Sequence, residues 1–565
     1  MILAPSVFLK KAGFCFRRKP GVKGPIPVGI ANGRAFGYEW LQMRHKLCLL
    51  LISTIMLALL HGATAGLSSV EVNMDYVAKW AQMRAESPFR SPRENMPDVL
   101  REDNLDYDKY REIRFIRERA LWAADKLPFQ VEFFHPGYRY QEPVRINEFS
   151  YNFVQPIRFV QDFFDYGKLK IQNDIPADTG YAGFRIICAL NTPDRMDELG
   201  AFLGASYYRL LGKGQRYGAS ARGLALDCGE YDRPEEFPLF TDWWLGKPAP
   251  GDQSVHLFAI LDSYSCAGAY EFRITPGETT TADVDAILFF RTAEKIHASN
   301  PNLKKTDCIG IAPLTSMFWF GKNSERKFDD YRPEVHDSDG LLMKLDKGET
   351  LWRPLNNAPV MRHQKFAAHE LKGFGLMQRA REFSDYQDLF NPYHQVPGIW
   401  VEPKGRWLDG SVHLVELSTE NEYLDNIVAF WEPDKKPAPM EPMRFGYTQY
   451  WTRENDRKLS PNRAIATRVG ADSRNPAWRQ FFIDWKGPKF ATLTDDSPPA
   501  AIASCSTNAV IVENQVFHLP DSPVWRALIK MEPVKNNKLP VDLRCTMKKG
   551  DEILGETWTY LWSPP

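Results

Sequence analysis

Carboxylates set among aromatic rings are the residues of this sequence with the most chemistry to offer. The chain carries 71 Asp and Glu together with 16 Trp, 22 Tyr and 35 Phe. Two acids held in a ring-lined cleft are what the cleavage of a glycosidic bond requires, and that reaction needs no metal. Residue types alone do not choose two acids from 71. His336-Asp-Ser-Asp339 places Asp337 and Asp339 in a polar loop, where an aspartate ordinarily makes an Asx turn or a cap. Asp425, in Tyr423-Leu-Asp-Asn-Ile-Val428, directly precedes the strand-like run Ile427 to Trp431, and an Asp at a strand mouth is more often a turn former than an acid. Taken one at a time, the turn reading outweighs the catalytic one at each of these positions.

Other chemistries find little support. His369-Glu370 is not followed by a second His at the metalloprotease spacing, and the glycines of Leu211 to Gly218 (LGKGQRYG) fit neither a phosphate loop nor a dinucleotide fingerprint. No Gly-x-Ser-x-Gly occurs. The 71 Lys and Arg balance the 71 acids, so there is no basic excess to displace phosphate counterions, and no nucleic-acid partner is expected. No cofactor and no metal site is expected either, because the isolated histidines read as structural.

These side chains must be positioned by folded elements, and the first question is where folding begins. Leu47 to Leu60 (LCLLLISTIMLALL) is the one strongly apolar run; it follows Arg44, His45 and Lys46 and precedes Ala63-Thr64-Ala65. Its length falls short of the roughly 20 residues a bilayer span needs. Residues 43–65 therefore read as a cleavable secretory signal peptide, and 1–42 as an extension ahead of the true start at Met43. Six cysteines follow: Cys188, Cys228, Cys266, Cys308, Cys505 and Cys545. With no CxxC pair among them, buried free thiols are expected, Cys505 and Cys545 being the first pair to test for a disulfide.

From Ser68 to about Asp125 the pattern is helical, with Ser68 and Glu71 spaced as a capping box and Val70, Tyr76, Val77, Trp80 and Met83 on one stripe. Beyond Phe129 period-2 alternation takes over, as in Val255 to Leu261, Ala269 to Thr275 and Val284 to Phe290. Four prolines between Glu432 and Pro442 mark a stiff linker. After it, Phe445 to Trp451, Phe481 to Trp485, Trp525 to Met531 and Trp558 to Trp562 alternate again within the span of an immunoglobulin-like sandwich. The expected fold is all-β and mainly antiparallel with a few short helices: a large sandwich over 66–433, a linker at 434–443 and an immunoglobulin-like sandwich over 444–565.

Seven stretches in fixed order carry a family resemblance: FLGASYYR ending at Arg209, YGASARGLALD from Tyr217, EFP from Glu236, GIAPLTSMF from Gly310, YRPEVHDSD from Tyr331, WRPLNN from Trp352 and DNIV from Asp425. Across nearly the whole exported chain the sequence resembles the periplasmic glucan biosynthesis proteins of the OpgG/OpgD (MdoG/MdoD) type. The resemblance implies a large N-terminal β-sandwich of the carbohydrate-active kind, a smaller immunoglobulin-like domain, export to the periplasm, and a role in making osmoregulated glucans with a β-1,2-linked glucose backbone. Some members are inverting endo-β-1,2-glucanases. By position, Asp425 matches their general acid and Asp337 the carboxylate proposed as general base, with a proton path through a substrate hydroxyl and ordered water.

That reading implies linear β-1,2-glucan as partner, contact with the inner-membrane glucan synthase, and an oligomeric state left open, a homodimer included. Its rival is a non-hydrolytic factor that binds nascent glucan. A neighbouring Glu422 or Glu416 is expected to help keep the acid protonated. Trp352, Trp400, Trp407 and Tyr386 are expected as platforms for glucose faces, against a core reading that is the commoner one for any single ring. Arg353, Arg379 and Arg381 are expected to hold sugar hydroxyls or fix the carboxylates, a structural ion-pair role being equally open. The chain departs from the family pattern at Arg381-Glu-Phe383, at Val396-Pro-Gly398, where an arginine is usual, and at Ser418.

Overall fold

The computed structural model describes residues 71–564 apart from 152, 172–173, 325–327, 347 and 454–460. The extension at 1–42, the signal peptide at 43–65 and the capping serine Ser68 lie outside the described residues.

Alternating segments dominate, and the protein is mainly β. A ten-stranded sheet runs in the order Phe129–Phe134, Gly183–Cys188, Asp197–Leu203, Tyr207–Leu210, Ser220–Arg222, Ile309–Ser316, Ile427–Pro433, Trp407–Glu416, Arg362–Leu371, with Leu224–Leu226 also paired to Ile309–Ser316. A fourteen-stranded sheet faces it. Alternation decides what lies between them: Leu314, Val412, Leu414 and Ala429 of the first sheet meet Leu257, Phe272, Val284, Leu376 and Ile399 of the second in one continuous core. Each such fully buried Val, Leu, Ile or Phe side chain contributes about 1.5–3 kcal/mol relative to exposure.

The outer face of the second sheet is covered twice. Met74–Ala85 forms a helix whose N-cap is Asn73, its side chain accepting from the Tyr76 N–H at 2.9 Å. Val77, Ala78, Ala81 and Ala85 pack on Phe258, Ile260, Ala269, Ile287 and Phe289, so small residues form the buried stripe. Trp80 and Met83, expected on that stripe, are exposed. The C-terminal residues cover the other end. Four strands, Arg463–Ala471, Arg479–Lys486, Ala509–His518 and Trp525–Pro533, form one sheet. Ala500–Cys505, Val541–Lys549 and Glu552–Trp562 face it across a second core that contains Trp485, Trp525, Trp558 and Tyr560. These seven strands have the size of an immunoglobulin-like sandwich.

The two sandwiches share a sheet. Glu552–Trp562 pairs in parallel with Thr350–Pro354, Leu351 opposite Thr557 and Trp352 opposite Trp558. Where the sequence suggests an interdomain linker at 434–443, the chain instead crosses between the two large sheets. The strand that follows, Met443–Thr452, lies between Thr280–Phe290 and Gly398–Pro403 and puts Tyr447 and Trp451 into the first core. Period 2 identified this strand, but prolines misplaced the boundary, because a stiff segment suits a crossover as well as a linker. The six described cysteines are free. Cys505 lies opposite Leu543 and Cys545 opposite Ala503, a diagonal separated by roughly 7–8 Å, beyond disulfide reach.

Candidate functional site

Asp425 stands where the chain enters the strand Ile427–Pro433, and the next residue fixes it there. Asn426 is fully buried; its side-chain oxygen accepts from the Phe318 N–H at 2.8 Å, and its amide donates to the carbonyls of Phe318 at 3.0 Å and Leu417 at 2.9 Å. It thus continues a ladder with its side chain. Phe318 in turn pairs with His336 in the short ribbon Phe318–Phe320 and Val335–His336, and the Asp337 N–H donates to Met317 at 2.8 Å. One asparagine therefore binds the segment carrying Asp425 to the segment carrying Asp337.

Both carboxylates are linked to Gly218, Asp425 through Arg209 and Asp337 by direct packing. Arg209, from the strand Tyr207–Leu210, donates through Nε to the Gly218 carbonyl and through Nη2 to Asp425 Oδ2, each at 3.3 Å. A methyl group on Gly218 would stand 3.1 Å from Cγ of Asp337 and 2.0 Å from a methyl of Val396. The absence of a side chain at Gly218 lets Asp337 and Val396 pack against its backbone, whose carbonyl Arg209 links to Asp425. Asp425 is 8% exposed and Asp337 0%.

Behind Asp337 lies a charged pair. His336 is stacked on Phe318 with Nε2 3.2 Å from Glu334 Oε2, and its Nδ1 is 2.9 Å from Gln378 Oε1. Burial opposes charge on His336, but the Glu334 carboxylate and Asp339 outweigh it and hold the imidazole above its usual value. Burial likewise pushes Glu334 up, and the hydrogen bond and charge of His336, joined by Lys322, overcome it and hold the carboxyl down to about 2. Asp339 does what a loop aspartate ordinarily does: its Oδ2 accepts the N–H groups of Arg379 at 2.9 Å and Ala380 at 3.0 Å.

The rim is tied by Arg332. Its guanidinium binds Asp330 at 2.7 Å, Asp388 at 2.8 Å and Glu422 at 2.7 Å, and Glu422 also accepts from the Tyr393 hydroxyl at 2.6 Å. Three loops are locked by one cation, and beside its partners stand exposed rings: Tyr331 at 73%, Phe390 at 90% and the half-exposed Tyr423. Exposed rings on the polar loops that Arg332 joins are a surface that sugar faces fit.

The rings singled out by sequence are elsewhere. Trp352 and Trp400 are buried in the C-terminal core, lying across Gly340 and Gly373 so closely that a Cβ there would collide with the indoles. Trp407 stacks on Trp431 at 4.7 Å in the main core. Tyr386 is fully buried edge-on to His336, its hydroxyl donating to the Ala380 carbonyl at 3.2 Å. Large aromatic rings suggested sugar platforms here, and a large ring is equally the mark of a core residue.

The arginines separate similarly. Arg353 pairs with Asp542 at 2.8 Å and Arg379 with Glu556 at 2.6 Å, both binding the C-terminal sandwich to the large sheet. Arg381 is closer to the site, donating to the carbonyl of Val396, whose side chain abuts Gly218. Burial lowers its guanidinium to about 10. Glu416 is held by the Asn356 N–H at 2.8 Å and Gln364 at 2.9 Å, and Glu422 by Arg332 and Tyr393. The cation at Asp425 is Arg209. Arg209, Arg332, Tyr393 and Asn426 went unassigned in the sequence, although three of them lie in the quoted stretches FLGASYYR, YRPEVHDSD and DNIV.

Comparison with known proteins gives the chain its family. A family profile described as periplasmic glucan biosynthesis protein, MdoG, matches residues 72–562. The chain is 40% identical over 507 residues to "Glucans biosynthesis protein G" of Ralstonia nicotianae, covering 88% of this chain and 97% of the relative. It is 39% identical over 499 residues to the protein of the same name in Pseudomonas paraeruginosa, covering 86% and 92%. Among the described residues no helix is long and apolar enough to cross a membrane. A match over almost every described residue, reinforced by relatives covered nearly end to end, places this chain in the MdoG family of periplasmic glucan biosynthesis proteins.

Proposed function

We propose that this protein acts in the periplasm on the β-1,2-linked glucose backbone of osmoregulated glucans as an inverting endo-glucanase. Asp425 delivers a proton to the bridging oxygen, and Asp337 draws one from the attacking water through a substrate hydroxyl. The observation that carries this reading is that Arg209 joins Asp425 to the Gly218 carbonyl while Asp337 packs against the same glycine. Two acids linked through Arg209 and Gly218 from different loops are candidates for the pair that glycoside hydrolysis needs. Sugar hydroxyls entering between Arg209 and Asp425 replace the guanidinium as the partner of the carboxylate and free it for proton transfer.

A second reading is favoured by the closure of the site. With Asp337 fully buried and the Asp425 side chain only 5% exposed, the protein binds glucan on its rim and organises nascent chains without cutting them. Turnover separates the two. Purified protein incubated with linear β-1,2-glucan should release short oligosaccharides of inverted anomeric configuration, and Asp425→Asn should abolish release while retaining polymer binding. Binding by the wild type without any product would establish the non-hydrolytic reading instead.

A further inference from the structure

The strand that begins beside Asp425 ends in a cluster of a different kind. Glu432 on Ile427–Pro433, His413 on its neighbour Trp407–Glu416, and Cys308 just ahead of Ile309–Ser316 bring a carboxylate oxygen, an imidazole nitrogen and a thiol sulfur within 4.8 Å of one another. All three stand on the face turned away from the main core, beside Cys228, Val415, Val428 and Phe430, while Val412, Leu414 and Trp431 point inward. His413 is 0% exposed.

Hydrogen bonds fix which nitrogen of His413 is bare. The Gly229 carbonyl takes the Nδ1–H of His363 at 3.1 Å. His363 Nε2 is then an acceptor, and it lies 2.9 Å from Nδ1 of His413, which must donate. The neutral His413 ring therefore carries its lone pair on Nε2. That atom is buried, stands 3.2 Å from Glu432 Oε2 and makes no hydrogen bond. The approach of Nε2 to the Glu432 carboxylate lacks the alignment of a hydrogen bond. A lone pair, a carboxylate and a thiol facing one another are arranged for a cation, and a histidine whose other nitrogen donates to a fixed acceptor is the usual support of a metal ligand. The other groups facing Glu432 are the Ile309 N–H at 3.3 Å and the lysines Lys365 at 3.9 Å and Lys436 at 3.8 Å, both half-exposed and free to swing outward.

We propose that Cys308, His413 and Glu432 form a binding site for a divalent cation of the zinc class, with water as the fourth ligand. Sulfur, nitrogen and oxygen donors at about 2.0–2.3 Å from a tetrahedral ion lie roughly 3.4 Å apart; His413 Nε2 and Glu432 Oε2, at 3.2 Å, are already that close, and a pair at the full 4.8 Å needs to close by about 1.4 Å. The thiol proton leaves to solvent as the sulfur binds. The ion ties together three neighbouring strands of the ten-stranded sheet. Seven residues of strand, about 23 Å, separate it from Asp425, so its role is structural.

The test uses the tag-free mature chain, stripped with chelator and titrated with Co2+ and then Zn2+. One equivalent of Co2+ should produce a thiolate charge-transfer band and the visible bands of a tetrahedral site, and Zn2+ should bleach both. Cys308→Ser should remove the charge-transfer band, and His413→Gln and Glu432→Gln should weaken binding by about tenfold or more. Cys505→Ser should change nothing. Zn2+ should raise the Tm of the wild type but not of Cys308→Ser. Absence of the charge-transfer band in the wild type overturns the proposal whatever the variants do, as does an affinity that survives both Cys308→Ser and His413→Gln.

Discussion

At the scale of single residues, the charged pair behind Asp337 makes stability depend on pH in a defined direction. His336 is raised above its usual 6.5, and the groups facing it are Glu334, Asp339, Gln378 and Tyr386, with Lys322 acting through Glu334. A base with a raised folded pKa stabilises fully below its unfolded value and loses that stabilisation as pH climbs through the folded value. Glu334, held at about 2 against a usual 4.5, contributes above 4.5 and loses its contribution as pH falls toward 2. The pair therefore contributes in full between 4.5 and 6.5 and less on the alkaline side, each pKa unit being worth about 1.4 kcal/mol. A Tm series from pH 6 to 9 should fall for the wild type, and His336→Gln should flatten that limb. An equally steep fall in the variant would place the titration elsewhere. None of this was legible in VHDSD, because a histidine's partner two residues away matters only once Phe318 has stacked on its ring.

At the scale of elements, the two acids are aligned by backbone-like contacts that the sequence encodes only as small residues. Gly218 has room for nothing beyond hydrogen, with Val396 and Asp337 on either side. Gly218→Ala should cost about 1–3 kcal/mol of stability by overpacking and should reduce glucan turnover or binding far more than that cost alone implies. Chemical denaturation and a binding titration on the same preparation give both numbers; loss of stability with unchanged binding would detach Gly218 from the site. The strands themselves were legible. Val255 to Leu261, Ala269 to Thr275 and Val284 to Phe290 alternate because one face meets the core and the other meets the helix or solvent. Trp352, Trp400 and Trp407 were expected as platforms because of their rings, but ring type does not say whether a side chain will be covered. The exposed Tyr331, Phe390 and Tyr423 lie on loops, where there is no period to reveal them.

At the scale of the whole molecule, the C-terminal sandwich is built into the structure that holds the site. Arg379 lies against the Trp352 ring with its guanidinium carbon 3.4 Å from the centroid and donates to Glu556 at 2.9 and 2.6 Å, the two side chains being 3% and 0% exposed. Its own N–H binds Asp339, two residues from Asp337. One residue therefore anchors the second sandwich with its side chain and the loop of the acid with its backbone. Glu556→Gln leaves a buried guanidinium without its counter-charge, which costs about 3–5 kcal/mol. Because the strand pairing between the sandwiches is a short parallel one at Leu351 and Trp352, that loss should separate one cooperative unfolding transition into two, the C-terminal sandwich melting first. Calorimetry reads the separation, and glucan binding measured between the two transitions reads the coupling to the site. The double variant Arg379→Met/Glu556→Leu, which removes both charges and keeps most of the volume, should restore a single transition. If Glu556→Gln alone still melts as one unit with little loss, the buried Trp352, Trp400 and Trp558 hold the sandwiches together, and the ion pair only sets their register.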